Sequence, residues 1–236
     1  MSLRAICSSL ASLIVCAAGS GSLQGQPVEV DGAFQVRYAA NLQTGGEAYV
    51  DVINDGANGA PRNGPFFGNA AGIGNLCINA YVLDPTEELL SCCSCTVTPN
   101  QTVSWQVKSQ ILSNSLTGVQ PNSVTIKLIG SNPGAAATVG GTDCSNSAAT
   151  LGATVTNTFS GVTDTALAIG GYIAFGSTLH PQGTQYVTTE THFLPVTLTV
   201  QELRSLTERC AQTIGNGSNF GQCAGCSVLA IGAQKQ

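Results

Sequence analysis

A chain of 236 residues with eight Lys or Arg against thirteen Asp or Glu carries a net charge of −5, and only 9% of its residues are charged. An ordinary soluble domain has about 25%, so this surface must be built largely from Ser, Thr, Asn, Gln and Gly. Three lysines and no basic cluster leave no electrostatic footprint for nucleic acid, and weak like-charge repulsion leaves self-contact almost unopposed.

In chain order, Arg4 comes first, followed by an apolar run over residues 5–18 and small residues over 17–22. A basic start, a short apolar stretch and a small-residue exit predict a secretory signal peptide over residues 1–22, cleaved between 17 and 26. The run is too short for a membrane span, which needs about 20 apolar residues, so none is expected after cleavage. Cys16 ends "LIVC", but Val15 is too large for a lipobox.

The body alternates. "FQVRYAANL" (34–42), "EAYVDVIN" (47–54), "CINAYVL" (77–83), "TVSWQVK" (102–108) and "SVTIKLI" (123–129) show period-two patterning or β-branched density. "ALAIGGYIAFGSTL" (166–179), "QYVTTETHF" (185–193) and "VTLTV" (196–200) continue the series. Turn signals such as "NDGANG", "TPN" and "QPN" separate them, and many short strands so punctuated predict a mainly β fold, an antiparallel β-sandwich. Residues 27–130 form the expected core and 131–153 a Gly/Ala/Ser-rich loop. Residues 154–236 hold the remaining strands, packed on the same domain, and one short C-terminal amphipathic helix over about 200–214. Thr199 and Glu202 make a capping box. Val200, Leu203, Leu206, Cys210 and Ile214 line one helical face, and Gly215 or Gly217 ends the helix.

Loss of the leader removes Cys7 and Cys16 and leaves Cys77, Cys92, Cys93, Cys95, Cys144, Cys210, Cys223 and Cys226. An even set in an exported chain predicts a disulfide framework. "CCSC" and "CAGC" could together supply four thiolates to zinc, but such sites belong mainly to reducing compartments. "LCINAYVL" and "LLSCCSC" flank the turn "DPTEE" and predict a hairpin. Its expected register sets Cys77 against a residue between 93 and 95, which makes Cys93 or Cys95 the expected partner of Cys77. Cys92 points to the other face and is left for the C-terminal cysteines.

Catalytic chemistry finds little to work with. Only His180 in "STLHPQG", a turn-like setting, and His192 in a strand could serve as a base, and no G-x-S-x-G elbow occurs. Glu87 and Glu88 are adjacent and face different ways. Asp51 and Asp55, near Asn54 and Asn58, offer oxygens that could suit calcium, but without EF-hand spacing. Trp105, Tyr49, Tyr81, Tyr172 and Tyr186 would stack on sugars if exposed, although aromatics in alternating strands belong more often to a core. Asn100 and Asn216 begin N-x-S/T triplets.

The series "RYAANL…VINDGANGA…GNLCINAYVLDPTEELLSCCSCTVTPN", with "GYIAFGSTLH", "VTTETHFLPVTLTVQELRSLTERC" and "NGSNFGQCAGC", resembles a family of exported bacterial proteins of uncharacterised function. The resemblance covers most of the mature chain, is most specific at "CCSCTVTPN", and implies a secreted, cysteine-bridged protein with no catalytic residues to carry over.

The expectation is therefore a secreted or cell-surface structural protein, not an enzyme, with no cofactor and no metal, whose partners are copies of itself. One route is strand addition by "QPVEVDGAFQVRYA" (26–39) to a neighbour's sheet. The alternative is a secreted carbohydrate- or small-ligand-binding module.

Overall fold

The computed structural model describes residues 32–44, 46–59, 74–131, 144, 154–156, 163–165, 168–182, 185–215 and 217–224. The expected leader with Cys7 and Cys16, most of the expected 131–153 loop, Asn216 and Cys226 lie outside them.

Among the described residues eleven strands appear in order: β1 (Phe34–Ala39), β2 (Ala48–Asn54), β3 (Leu76–Leu83), β4 (Leu89–Val97), β5 (Thr102–Gln106), β6 (Val124–Ser131), β7 (Thr154–Thr156), β8 (Thr163–Thr165), β9 (Tyr172–Gln182), β10 (Gln185–His192) and β11 (Leu194–Pro195). One α-helix, α1 (Val200–Gly215), follows among the described residues. Two antiparallel sheets form the sandwich. The first runs β11-β1-β6-β3-β4 and the second β10-β9-β2-β5, while β7 and β8 pair with each other.

Alternation places one face of each strand between the sheets. Ile78, Ala80, Val82, Cys93 and Cys95 of the first sheet meet Val50, Val52, Val103 and Trp105 of the second. Polar ties cross the same gap. The Gln35 amide donates to the Tyr172 carbonyl at 3.0 Å, and the Tyr172 hydroxyl donates to the Leu128 carbonyl at 3.1 Å. The Arg37 guanidinium lies over Gly176, where a Cβ would stand 0.8 Å from Nη1, so glycine is the residue that admits it. Burial lowers the Arg37 pKa, and Asp51 partly offsets that.

The first sheet is covered on its outer face too. Leu203, Leu206 and Cys210 of α1 pack on Phe34, Tyr81, Leu83, Cys92 and Ile129. Every residue of β3 is consequently buried, and its sequence reads as a near-continuous apolar run because both faces are covered. The Thr199 hydroxyl accepts the Glu202 N–H at 3.1 Å, as the capping motif requires. The Glu202 carboxylate turns to Lys127 of β6 and ion-pairs with it, so the helix start is anchored on the sheet.

Four expectations need correction. The strand expected to run to Lys108 stops at Gln106, because a π-helical turn takes over at Val107–Ile111. The Leu112 N–H closes on the Val107 carbonyl, while Gln110 and Glu47 side chains accept the Gln106 and Lys108 N–H groups. "VTLTV" is not a strand, since pairing with β1 occurs at Leu194–Pro195 instead and Val200 already begins the helix. His180 is not in a turn, for β9 continues to Gln182, paired with β10. The last six residues of "QPVEVDGAFQVRYA" are β1 itself, paired with β6 throughout and with β11 at Gln35 and Val36, so this stretch completes its own sheet instead of a neighbour's.

Candidate functional site

The cysteines converge on one side of the molecule. The hairpin β3–β4 pairs Ile78 with Cys95, Ala80 with Cys93 and Tyr81 with Cys92. Cys93 and Cys95 thus face the intersheet core, and Cys92 faces α1. Cys92 bridges to Cys210 of the helix with Cα atoms 6.0 Å apart. Cys93 bridges to Cys223 of the tail at 5.3 Å. Both spacings suit a disulfide.

The partner of Cys77 is Cys144, with Cα atoms 5.4 Å apart, and not Cys93 or Cys95. The reason is a bulge. The pair Leu83↔Leu89 would set Cys77 against Cys95 by simple counting, but the register shifts between Val82 and Leu83 and Cys77 falls opposite Thr96. A one-residue slip turns side chains to opposite faces, so Cys77 points away from Cys93 and Cys95. The Thr96 hydroxyl lies 3.0 Å from the Cys144 sulfur, where this register places it. Cys95 is disulfide-bonded as well. The other six described cysteines pair among themselves, so its partner lies outside the described residues.

The bridged tail also closes a sheet edge. Cys92 N–H donates to the Gly221 carbonyl at 2.9 Å and Leu116 N–H to the Leu90 carbonyl at 2.7 Å, while Cys92 and Gln222 form a parallel bridge. Disulfides of this kind persist in oxidising compartments. Among the described residues no helix is long and apolar enough to cross a membrane.

The outer face of the second sheet brings chemistry-bearing residues into one row. His192 pairs with Phe175, Phe175 with Asp51 and Asp51 with Ser104. Serine, carboxylate and imidazole thus share a line across four strands. Phe175 stands between the last two, its ring 4.4 Å from that of His192, and two strand spacings put His192 roughly 9–10 Å from Asp51. The Asp51 carboxylate instead accepts from Ser104 at 2.6 Å and Ser177 at 2.9 Å. A relay needs nucleophile, base and orienting acid in successive hydrogen-bond contact, and this row is interrupted at its centre. His180 sits exposed near the end of β9.

The side chains considered for calcium are engaged in turn hydrogen bonds. Asn54 donates to the Gly74 and Val97 carbonyls and accepts the Gly56 N–H. Asp55 accepts the Ala57 N–H and Asn58 donates to the Gly170 carbonyl. Among the described residues no three His, Cys, Asp or Glu side chains gather as a metal would require.

Trp105, Tyr49, Tyr81 and Tyr172 are buried and form core, not a stacking platform. Nothing is described of the Tyr186 side chain. A shallow groove of about 260 Å³ lies between α1 and the β3–β4 turn, lined by Glu88, Leu89, Leu116, Arg209, Gln212 and Thr213. The Arg209 guanidinium there donates to the Glu87 carbonyl. In the same turn burial pushes the Asp84 carboxyl up, but donors from Glu88 and Thr86 and the nearby Arg209 outweigh it and hold Asp84 below its ordinary value.

No protein-family model, curated protein or solved structure matches the chain. The site's chemistry therefore rests on its own geometry.

Proposed function

We propose that this chain is an exported, non-enzymatic structural protein of the cell surface or extracellular space that assembles with copies of itself. The carrying observation is the disulfide clamp, in which the helix and tail are bridged to adjacent residues Cys92 and Cys93 of a single strand. Such cross-links serve a protein that must hold its shape outside the cell. The charge-poor surface adds support, since 9% charged residues oppose self-contact only weakly. The interrupted row across the second sheet weighs against hydrolytic catalysis.

The rival function, a binding module, draws on the groove beside α1. Its volume of about 260 Å³ falls just under the roughly 300–1,000 Å³ of small-molecule sites, and among the described residues no aromatic side chain lines it. Sedimentation and electron microscopy of the secreted, oxidised protein test the structural reading. Concentration-dependent association is the expected result, and a strict monomer at high concentration overturns it.

A further inference from the structure

We infer that two copies join edge to edge through β10, antiparallel and about a two-fold axis at Thr188. The inference deepens the self-assembly reading and rests on it.

The two sheets of the sandwich have four edges, and among the described residues three are paired, very short or buried. The β4 edge is taken by Leu116 and the tail at Gly221. The other edge of the first sheet is β11, only two residues long and ending in Pro195, a residue with no N–H to offer. On β5, Val103, Ser104 and Trp105 are buried. β10 differs from all of these. It pairs with β9 alone, and its side chains from Val187 to His192 are exposed on both faces. Among the described residues nothing covers its outer side.

Soluble proteins usually guard such an edge with Lys, Pro or a bulge. "QYVTTETH" has neither Lys nor Pro, and its pairing with β9 is regular from Gln185 to His192. Val187 and three threonines give it strong strand propensity, and Glu190 is its one acidic residue. An eight-residue edge of this composition is a template for another strand.

A second copy fits it for reasons of symmetry and charge. Directly opposed antiparallel residues share a face, so a two-fold axis perpendicular to the sheet must pass through a residue and not between two. Centring on Glu190 would oppose two carboxylates. Centring on Thr189 would leave them diagonal neighbours about 7–8 Å apart. Centring on Thr188 sets threonine against threonine and Val187 against Thr189 of the second copy. Each Glu190 then faces residue 186, far from its counterpart. The two four-stranded sheets become one eight-stranded sheet running β5-β2-β9-β10 and back. Because the contact is the same patch on both copies, it closes as a dimer, and longer assemblies need a different surface. A single strand edge is a small interface, under about 1,200 Å², so micromolar or weaker dissociation is expected.

The test is sedimentation velocity on the oxidised full chain, over roughly three decades of concentration up to about 0.5 mM. It compares wild type, Thr188→Lys, Thr188→Glu and an equimolar mixture of the two variants. Circular dichroism and the thermal midpoint confirm folding, which an exposed position should leave intact. Expected are a wild-type dimer, at least about tenfold weaker association of each variant alone, and recovery in the mixture. If wild type associates and both variants do so equally well, β10 is not the contact while self-assembly stands. If the mixture fails to recover, the Thr188 axis is wrong. A wild-type monomer throughout overturns both the contact and the assembly reading.

Discussion

Strands β3 and β10 are each eight residues long and lie in sheets of one sandwich, yet they are opposites. All of β3 is buried, between the intersheet core on one side and α1 on the other. It sits beside β4, whose Cys92 and Cys93 are bridged to helix and tail. Every described side chain of β10 is exposed, and the strands of its sheet contain no cysteine. Cross-links are thus concentrated where the chain must hold a helix and a tail onto a sheet. The second sheet is held by apolar packing and the Gln35 and Tyr172 hydrogen bonds, and among the described residues nothing pairs with its far edge.

The largest test of that contrast removes a bridge. The Cys92–Cys210 disulfide spans 118 residues, and closing so long a loop restricts the unfolded chain enough to be worth about 3–5 kcal/mol. Cys92→Ser with Cys210→Ser should lower the guanidinium midpoint accordingly. A loss under about 1 kcal/mol would mean that packing alone holds α1 in place.

A smaller effect probes the join between the sheets. A Cβ on Gly130 would meet the Ile169 carbonyl oxygen at 2.3 Å and Tyr172 Cε1 at 2.7 Å. Gly130→Ala should cost about 1–3 kcal/mol through that overpacking, read as a shift in the urea midpoint without loss of helix signal.

Alkaline pH acts on the same core. Burial raises the Tyr81 and Tyr172 phenols above their ordinary value of 10.0. In the unfolded chain they ionise near that value while the folded chain keeps them protonated. Their contribution is therefore intact below pH 10 and is lost as pH rises beyond it, by about 1.4 kcal/mol per pH unit for each tyrosine. Urea midpoints between pH 8 and 11 measure the slope, which Phe at both positions should flatten. At neutral pH the two substitutions should part. Tyr172→Phe loses donation to a carbonyl and should cost about 1 kcal/mol. Tyr81→Phe removes a hydroxyl with no partner among the described residues and should be near neutral.

The smallest effect belongs to the open strand. Val187→Ala or Thr191→Ala should change monomer stability by less than about 0.5 kcal/mol. Hydrogen exchange should show β10 amides opening locally while β3 amides exchange only with global unfolding. Equal protection of both strands in a monomer would erase the distinction between the two regions.

Much of this was legible beforehand. Strand alternation, the helix with its Thr199 cap, and the opposed faces of Cys92 and Cys93 depend on neighbours a few residues away, and periodicity reports them. The partner of Cys77 was not legible, because a single bulge between Val82 and Leu83 flips the face of everything beyond it. Nor was the end of β5, where Glu47, far off in the chain, accepts the Lys108 N–H.

Local pattern alone settled that this chain forms a charge-poor, cysteine-rich antiparallel sandwich with one helix. Only the tertiary structure decided which cysteines meet, that Phe175 parts Asp51 from His192, and that among the described residues β10 pairs with β9 alone. Those outcomes depend on register and on contacts between residues more than a hundred positions apart, for which a linear sequence carries no local signal.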